Sequence, residues 1–150
     1  FLMRLWLSAL LASVGILAVA GENLALKKSV KASSRENTRF LPEFAVDGKT
    51  RTRWSSQQRN DPQWLMVDLG AVKKVGKVLI SWEEAAAEQY RIQLSLDGKS
   101  WKDVARKTDG AGGVEELKFS PESARYVRML GEKRRTKGGY SIFEFEVYSE

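Results

Sequence analysis

Apolar and polar side chains alternate through this chain with a period of two, in short segments broken by turns. Trp64, Met66 and Asp68 alternate with Leu65, Val67 and Leu69. That period sends successive side chains to opposite faces of a strand, and a helix cannot turn it into a one-sided stripe. The period returns at Val78, Ile80 and Trp82, and at Tyr90, Ile92, Leu94 and Leu96, with Arg91, Gln93 and Ser95 between them. It returns again at Leu117 and Phe119, and where Val127 and Met129 alternate with Tyr126 and Arg128. In residues 142–148 it predicts that Phe143, Phe145 and Val147 share one face. Asp47-Gly48, Asp61-Pro62 and Asp97-Gly98 supply turns between segments, the last being a strong hairpin signal toward Trp101. Short strands at this spacing specify a sandwich or barrel. Residues 83–89 are rich in Glu and Ala and locally favour helix. Seven residues between two strong strands are too few for a stable helix, so a loop or one helical turn is expected there.

A chain of 150 residues is long enough for one domain with a proper core. It contains no His and no Cys, which removes imidazole-based triads, His or Cys zinc sites, thiolate nucleophiles and disulfides. A metal site must then use oxygen ligands, which favours calcium or magnesium. Residues 1–20 read as a signal peptide. Arg4 gives a positive start, residues 5–20 are almost wholly apolar, and Ala18-Val19-Ala20 forms a small-residue cleavage site. The apolar run falls short of the ~20 residues of a membrane span. The expected mature domain is therefore residues 21–150, secreted, periplasmic or on the cell surface, without a transmembrane span. The formal net charge of +6 becomes +5 without Arg4. The one dense basic run, Lys133-Arg134-Arg135-Thr136-Lys137, reads as a solvated loop, and nucleic acid is not an expected partner.

The last alternating segment carries Glu144 and Glu146 beside Ile142 and Tyr148. Two carboxylates in one short strand need solvent, a cation or a basic partner.

Several short segments, in order, carry a family resemblance. They are Asn23-Leu24-Ala25-Leu26, Ala32-Ser33-Ser34, Ala45-Val46-Asp47-Gly48, Thr52-Arg53-Trp54-Ser55-Ser56 and Asp61-Pro62-Gln63-Trp64. They continue with Val67-Asp68-Leu69-Gly70, Trp82-Glu83, Tyr90-Arg91-Ile92-Gln93, Asp97-Gly98 and Trp101. The last are Ala124-Arg125-Tyr126-Val127-Arg128 and the run from Gly139-Tyr140-Ser141 to Val147-Tyr148. Each is weak alone, but their order over residues 23–149 is specific. The chain resembles the discoidin, or coagulation factor 5/8 type C, domains, and most of all the bacterial members grouped as carbohydrate-binding module family 32. The resemblance implies an all-β fold, an eight-stranded antiparallel β-sandwich of the jelly-roll, galactose-binding-domain-like type. It further implies a non-catalytic module that binds a polysaccharide or glycan through loops at one end, in some cases appended to a glycoside hydrolase.

Two sites follow from that resemblance. A structural Ca²⁺ is implied at Asp47, Thr52 and Glu144, with the carbonyls of Phe44, Lys49 and Thr52 as further oxygens. The alternative for these residues is that Asp47 caps a turn and Glu144 pairs with Arg53 or another Arg. The glycan site is implied on four loops, 34–42, 55–61, 83–89 and 133–140, with Glu36, Arg35, Gln58, Arg59, Glu83, Arg135 and Tyr140 as its candidate residues. The likeness extends to the modules of chitosanases and β-glucanases, in which a first-loop Glu, a Glu after the Trp-x-Ser segment and a late Tyr contact the sugar. Glu36 and Tyr140 match the first and third of these positions, whereas Gln58 stands in place of the second carboxylate. With Arg35 and Arg59 nearby, a polycation is expected to be disfavoured against a neutral or acidic glycan. Trp54, Trp64, Trp82 and Trp101 are expected in the core or its wall, because alternation turns aromatics inward.

Two other function classes are open to the residues. Phe40 and Leu41 beside Arg39 could serve as apolar spikes of an adhesion module that binds anionic lipid or protein. Glu83 with Glu84, or Glu144 with Glu146, are the only obvious carboxylate pairs for a glycosidase, and adjacent strand residues face opposite ways.

Overall fold

The computed structural model describes residues 21–150, so the predicted signal peptide lies outside the described residues. Seven strands form: β1 Ser29–Ala32, β2 Trp54–Ser55, β3 Gln63–Trp82, β4 Ala87–Ser95, β5 Lys102–Lys107, β6 Val114–Arg134 and β7 Ser141–Tyr148. A single 3₁₀ turn spans Pro42–Ala45. All pairings are antiparallel.

The count is seven strands where eight were expected, because β3 and β6 are 20 and 21 residues long and each serves two layers. The ladder between them shifts register between Asp68 and Lys73 and again between Val75 and Lys77. Gly70, Ala71, Val72, Lys73 and Lys74 are exposed at this bend. Before it, β3 lies between β1 and the late half of β6, which continues to β4 and β5. After it, β3 lies between the early half of β6 and β7, which carries β2 at its edge. Side chains of both layers meet in one core. Leu65, Val67, Ile92, Val127 and Met129 come from the first layer and Val78, Ile80, Phe145 and Val147 from the second, all buried.

The period-two reading holds along β3, where Leu65, Val67, Leu69, Val78, Ile80 and Trp82 are buried. It fails at three places. Leu96 lies beyond the end of β4 and is 61% exposed. Residues 83–86 form the expected loop, but Ala87, Glu88 and Gln89 begin β4 instead of a helical turn, because pairing with Lys133 and Arg134 outweighs their helical propensity. In β7, Ser81 and Trp82 face Glu144 and Ile142, which leaves Phe143 as the extra residue of a bulge. The bulge leaves Phe143 only half-buried and turns Ile142 to the core face opposite Trp82, while Glu144 stays opposite Ser81 on the other face and is buried there.

Trp54 and Trp82 are buried, and Trp82 meets Tyr90 edge-on with ring centres 5.4 Å apart. Trp64 and Trp101 are half-buried, and the Arg128 guanidinium stacks 4.0 Å from the centre of the Trp101 ring.

Candidate glycan hollow and carboxylate pair

Four loops converge at one end of the sandwich because their backbones are bonded to one another. The Glu36 amide donates to the Ser55 carbonyl at 2.7 Å, and the Trp54 indole donates to the Ser34 carbonyl at 2.9 Å. Ser56 and Tyr140 exchange two bonds, amide to carbonyl at 2.8 Å and amide to hydroxyl at 2.9 Å. Ser141 joins the third loop, its amide donating to the Ala85 carbonyl at 2.7 Å and its carbonyl accepting from the Glu83 amide at 3.0 Å. Gly139 is required at this junction. A Cβ there would sit 2.5 Å from the Ser56 hydroxyl and 2.8 Å from the Gln57 carbonyl.

Between these loops lies an open hollow of about 280 Å³, lined by Glu36, Arg53, Ser55, Gln58, Glu83, Glu84, Ala85, Thr136, Gly138 and Gly139. The lining thus carries three carboxylates and one guanidinium, of which Glu83 and Arg53 come within ion-pair distance. The Gln58 amide donates to Glu36 at 3.1 Å and fixes the orientation of that carboxylate. Arg53 stands 3.8 Å from Glu83, donates to the Ser141 hydroxyl at 2.8 Å and lies over the Phe40 ring at 4.2 Å. No aromatic ring lines the hollow, so binding there depends on hydrogen bonds and charge.

Of the residues proposed from sequence, the structure brings Glu36, Gln58 and Glu83 together in this hollow. It places the others elsewhere. Tyr140 is fully buried, its hydroxyl donates to Asp61 at 2.5 Å, and its ring covers Gly131 so closely that a Cβ there would collide. In that position it cannot stack on a sugar; it anchors the loop. Burial, and then the Asp61 carboxylate, push its phenol well above the ordinary tyrosine range. The Arg135 guanidinium lies toward Gly112, and Arg35 is exposed outside the lining. Arg59 lines a second hollow with Arg134, Thr136 and Lys137. Arg53 and Glu84 complete the lining without having been chosen as site residues. Arg53 was legible in one respect: it directly precedes the inward Trp54 at the start of β2, and extended backbone turns neighbouring side chains to opposite faces. Phe40, considered as an apolar spike, is half-buried beneath Arg53.

A second group pairs a buried carboxylate, Glu144, with a half-buried one, Asp47. Asp47 accepts the Thr52 hydroxyl at 2.5 Å and the Lys49 amide at 2.9 Å. Glu144 is 7% exposed, lies against Asp47, and its Oε1 has no hydrogen-bond partner. Burial raises the Glu144 carboxyl to about 8, with the adjacent Asp47 adding to the shift. Burial also opposes ionisation of Asp47, but donation from Thr52, Lys49 and Glu144 outweighs it and holds Asp47 below its ordinary value. Glu144 does not pair with Arg53, which is engaged by Ser141, Glu83 and Phe40. Among the described residues no three acidic side chains converge, so an ion here would draw on two carboxylates, a hydroxyl and backbone carbonyls.

A bent, two-layer antiparallel sandwich with a polar hollow between its end loops is the architecture of the galactose-binding-domain-like class. Residues 44–129 match the family model described as the NedA-like, galactose-binding domain of the F5/8 type C group. The chain belongs to that family. Among solved structures it is similar to chitosan-binding module 1 of a chitosanase/glucanase from Paenibacillus sp. IK-5. The two share 44% identity and a TM-score of 0.83, covering 85% of this chain and 98% of that one. Module 2 of the same enzyme, solved with chitotriose, is 39% identical with a TM-score of 0.82, covering 84% and 99%. A polysaccharide lyase 8 family protein, HylA of Enterococcus faecalis, is 34% identical over 119 residues. That match takes in 74% of this chain and 8% of the lyase, so the chain spans a small fraction of that relative's length. No helix among the described residues is long and apolar enough to cross a membrane.

Proposed function

We propose that this module binds amine-bearing hexosamine oligosaccharides in the hollow between its end loops, without catalysing their cleavage. The observation that carries this reading is that three carboxylates, Glu36, Glu83 and Glu84, line one hollow that holds a single guanidinium, Arg53. Carboxylates accept hydrogen bonds from sugar hydroxyls and, more strongly, from a protonated amine. The sequence expectation that a polycation is disfavoured rested on Gln58 in place of a carboxylate and on Arg35 and Arg59; Gln58 lines this hollow, but neither arginine does. The similarity to two chitosan-binding modules supports the same ligand class. Affinity for one oligosaccharide is weak in an open site without an aromatic platform, so retention depends on tethering or multivalency. Attachment to, or co-secretion with, a carbohydrate-active enzyme fits this role, as does export directed by residues 1–20. Asp47, Thr52 and Glu144 fit a structural Ca²⁺, because the unpartnered buried oxygen of Glu144 beside a second carboxylate is an arrangement that a hard cation completes.

Titration with chitotriose, against cellotriose as the neutral counterpart, tests the ligand class. Chitotriose is expected to bind at least tenfold more tightly, and Glu83→Gln to remove most of that preference while leaving thermal unfolding in place. Equal affinity for the two trisaccharides would remove the amine from the proposal.

A further inference from the structure

The second hollow adjoins the first and carries the opposite charge. It measures about 500 Å³ and is lined by Arg59, Arg134, Thr136 and Lys137. Thr136 lines both hollows. Gly138, which lines the carboxylate hollow, accepts from the Arg59 amide at 3.0 Å and from Arg134 Nη1 at 3.4 Å. The two hollows are therefore built on the same two loops and share one wall.

Arg134 is partly neutralised by Asp61, 3.1 Å from its Nε. Arg59 and Lys137 enter no ion pair among the described residues, although both stand beside a carboxylate-rich hollow. Arg59 also holds a left-handed backbone conformation, with φ of 60°, which a non-glycine residue adopts at some cost. Strain of this kind at a loop beside a binding hollow is a pointer to function.

We infer that the two hollows together read a glycan of mixed charge: a hexosamine in the carboxylate hollow and an anionic group, carboxylate or sulfate, on the neighbouring sugar at Arg59 and Lys137. This rests on the proposed carbohydrate site and extends it by one subsite. A guanidinium and an ammonium both donate to such groups in charge-assisted bonds, and the guanidinium can do so with two parallel bonds. A homopolymer of amine-bearing sugars, by contrast, meets repulsion at the second hollow. Alternation of charge along the ligand would thus match alternation of charge along the protein.

The test uses the full chain and three probes: chitotetraose, a tetrasaccharide alternating glucosamine and glucuronate, and the same tetrasaccharide carrying sulfate. Calorimetric titration at low salt is expected to show the two mixed-charge probes binding about three- to tenfold more tightly than chitotetraose, the range for two exposed charge contacts. The advantage is expected to vanish in the Arg59→Gln/Lys137→Gln double variant, with chitotetraose binding unchanged or slightly stronger. Comparing the uronate and sulfated probes identifies which anion the subsite favours. Wild-type protein that binds chitotetraose as well as or better than both mixed-charge probes overturns this inference alone. So does a double variant that keeps the preference. Binding of none of the three overturns it together with the proposed carbohydrate site.

Discussion

Two groups of glutamates in this molecule hold their carboxylates in opposite circumstances. Glu36, Glu83 and Glu84 line an open hollow, Glu36 beside Gln58, Glu83 near Arg53 and Glu84 exposed. Glu144 is buried on the face of its strand opposite Phe145, beside Asp47, with one oxygen unpartnered. A carboxylate in the first setting presents its oxygens to a cationic or hydroxyl-rich partner. A carboxylate in the second is costly as an anion, and either keeps its proton or is neutralised by a cation. The same residue type is thus suited to recognition in one place and to cohesion of the fold in the other, and burial decides which.

The widest separation between the two groups should appear in the pH dependence of stability. In the metal-free protein Glu144 has a folded value near 8, against an ordinary 4.5. The folded state therefore holds this proton more tightly than the unfolded chain does. The stability it contributes is fully present below about pH 4.5 and is lost as pH rises through about 8, a change of up to several kcal/mol. Asp47, held below its ordinary value, acts in the other direction and only in acid. Urea unfolding of chelated protein at pH 5, 7 and 9 should show a steady fall, and Glu144→Gln should flatten it. A flat profile in the parent protein would mean that Glu144 ionises without difficulty and does not differ from the glutamates of the hollow.

Calcium gives the next largest contrast. At a hundredfold excess over its dissociation constant the ion adds about 2.7 kcal/mol, or roughly 10 °C in melting temperature for a domain of this size. Glu144→Gln should abolish that increment, and Glu36→Gln should leave it intact. An unchanged melt on chelation would leave the buried pair as a shared-proton pair without an ion.

Gly139 tests whether the hollow depends on the packing of its loops. Gly139→Ala forces a Cβ against Ser56 and Gln57, whose backbone is tied to the same loop, and should cost about 1–3 kcal/mol. Chitotriose binding should weaken with it, because Gly138 and Gly139 form part of the lining. Calcium-dependent stabilisation should survive. If binding survives as well, the hollow is not where the sugar sits.

Much of the sandwich was legible because alternation is a direct record of which face is buried, as Leu65, Val67, Val78 and Ile80 show. The bulge at Phe143 was not legible. One unpaired residue reverses the face of its neighbours, and local composition does not mark it. The bend that lets β3 and β6 serve both layers was likewise hidden, since nothing in the local composition around Gly70 shows that the strand continues beyond it into a second layer. At the site, Glu36, Gln58 and Glu83 could be gathered from separate loops by family likeness. Tyr140 misled, because a tyrosine after two glycines looks like an exposed tip. Only the close approach of Gly131 and the acceptor at Asp61 make a buried place for it. Arg59, read as one rim of a single site, instead belongs to a hollow of its own.

The smallest expected effect concerns Gln58, where the related chitosan binders are expected to carry a carboxylate. Gln58 now donates to Glu36, so Gln58→Glu replaces a donor by a second anion about 3 Å away. Both side chains are exposed, and the stability cost should stay within about 0.5 kcal/mol. With a fourth carboxylate in the hollow, chitotriose affinity should rise about two- to fivefold at low salt, the range for one exposed charge contact, and the gain should fade as salt is added. Melting and calcium response should be unchanged, since the buried pair at Asp47 and Glu144 is untouched. A fall in chitotriose affinity would show that the orientation Gln58 imposes on Glu36 matters more than the charge at this position, and that the hollow selects by geometry before it selects by charge.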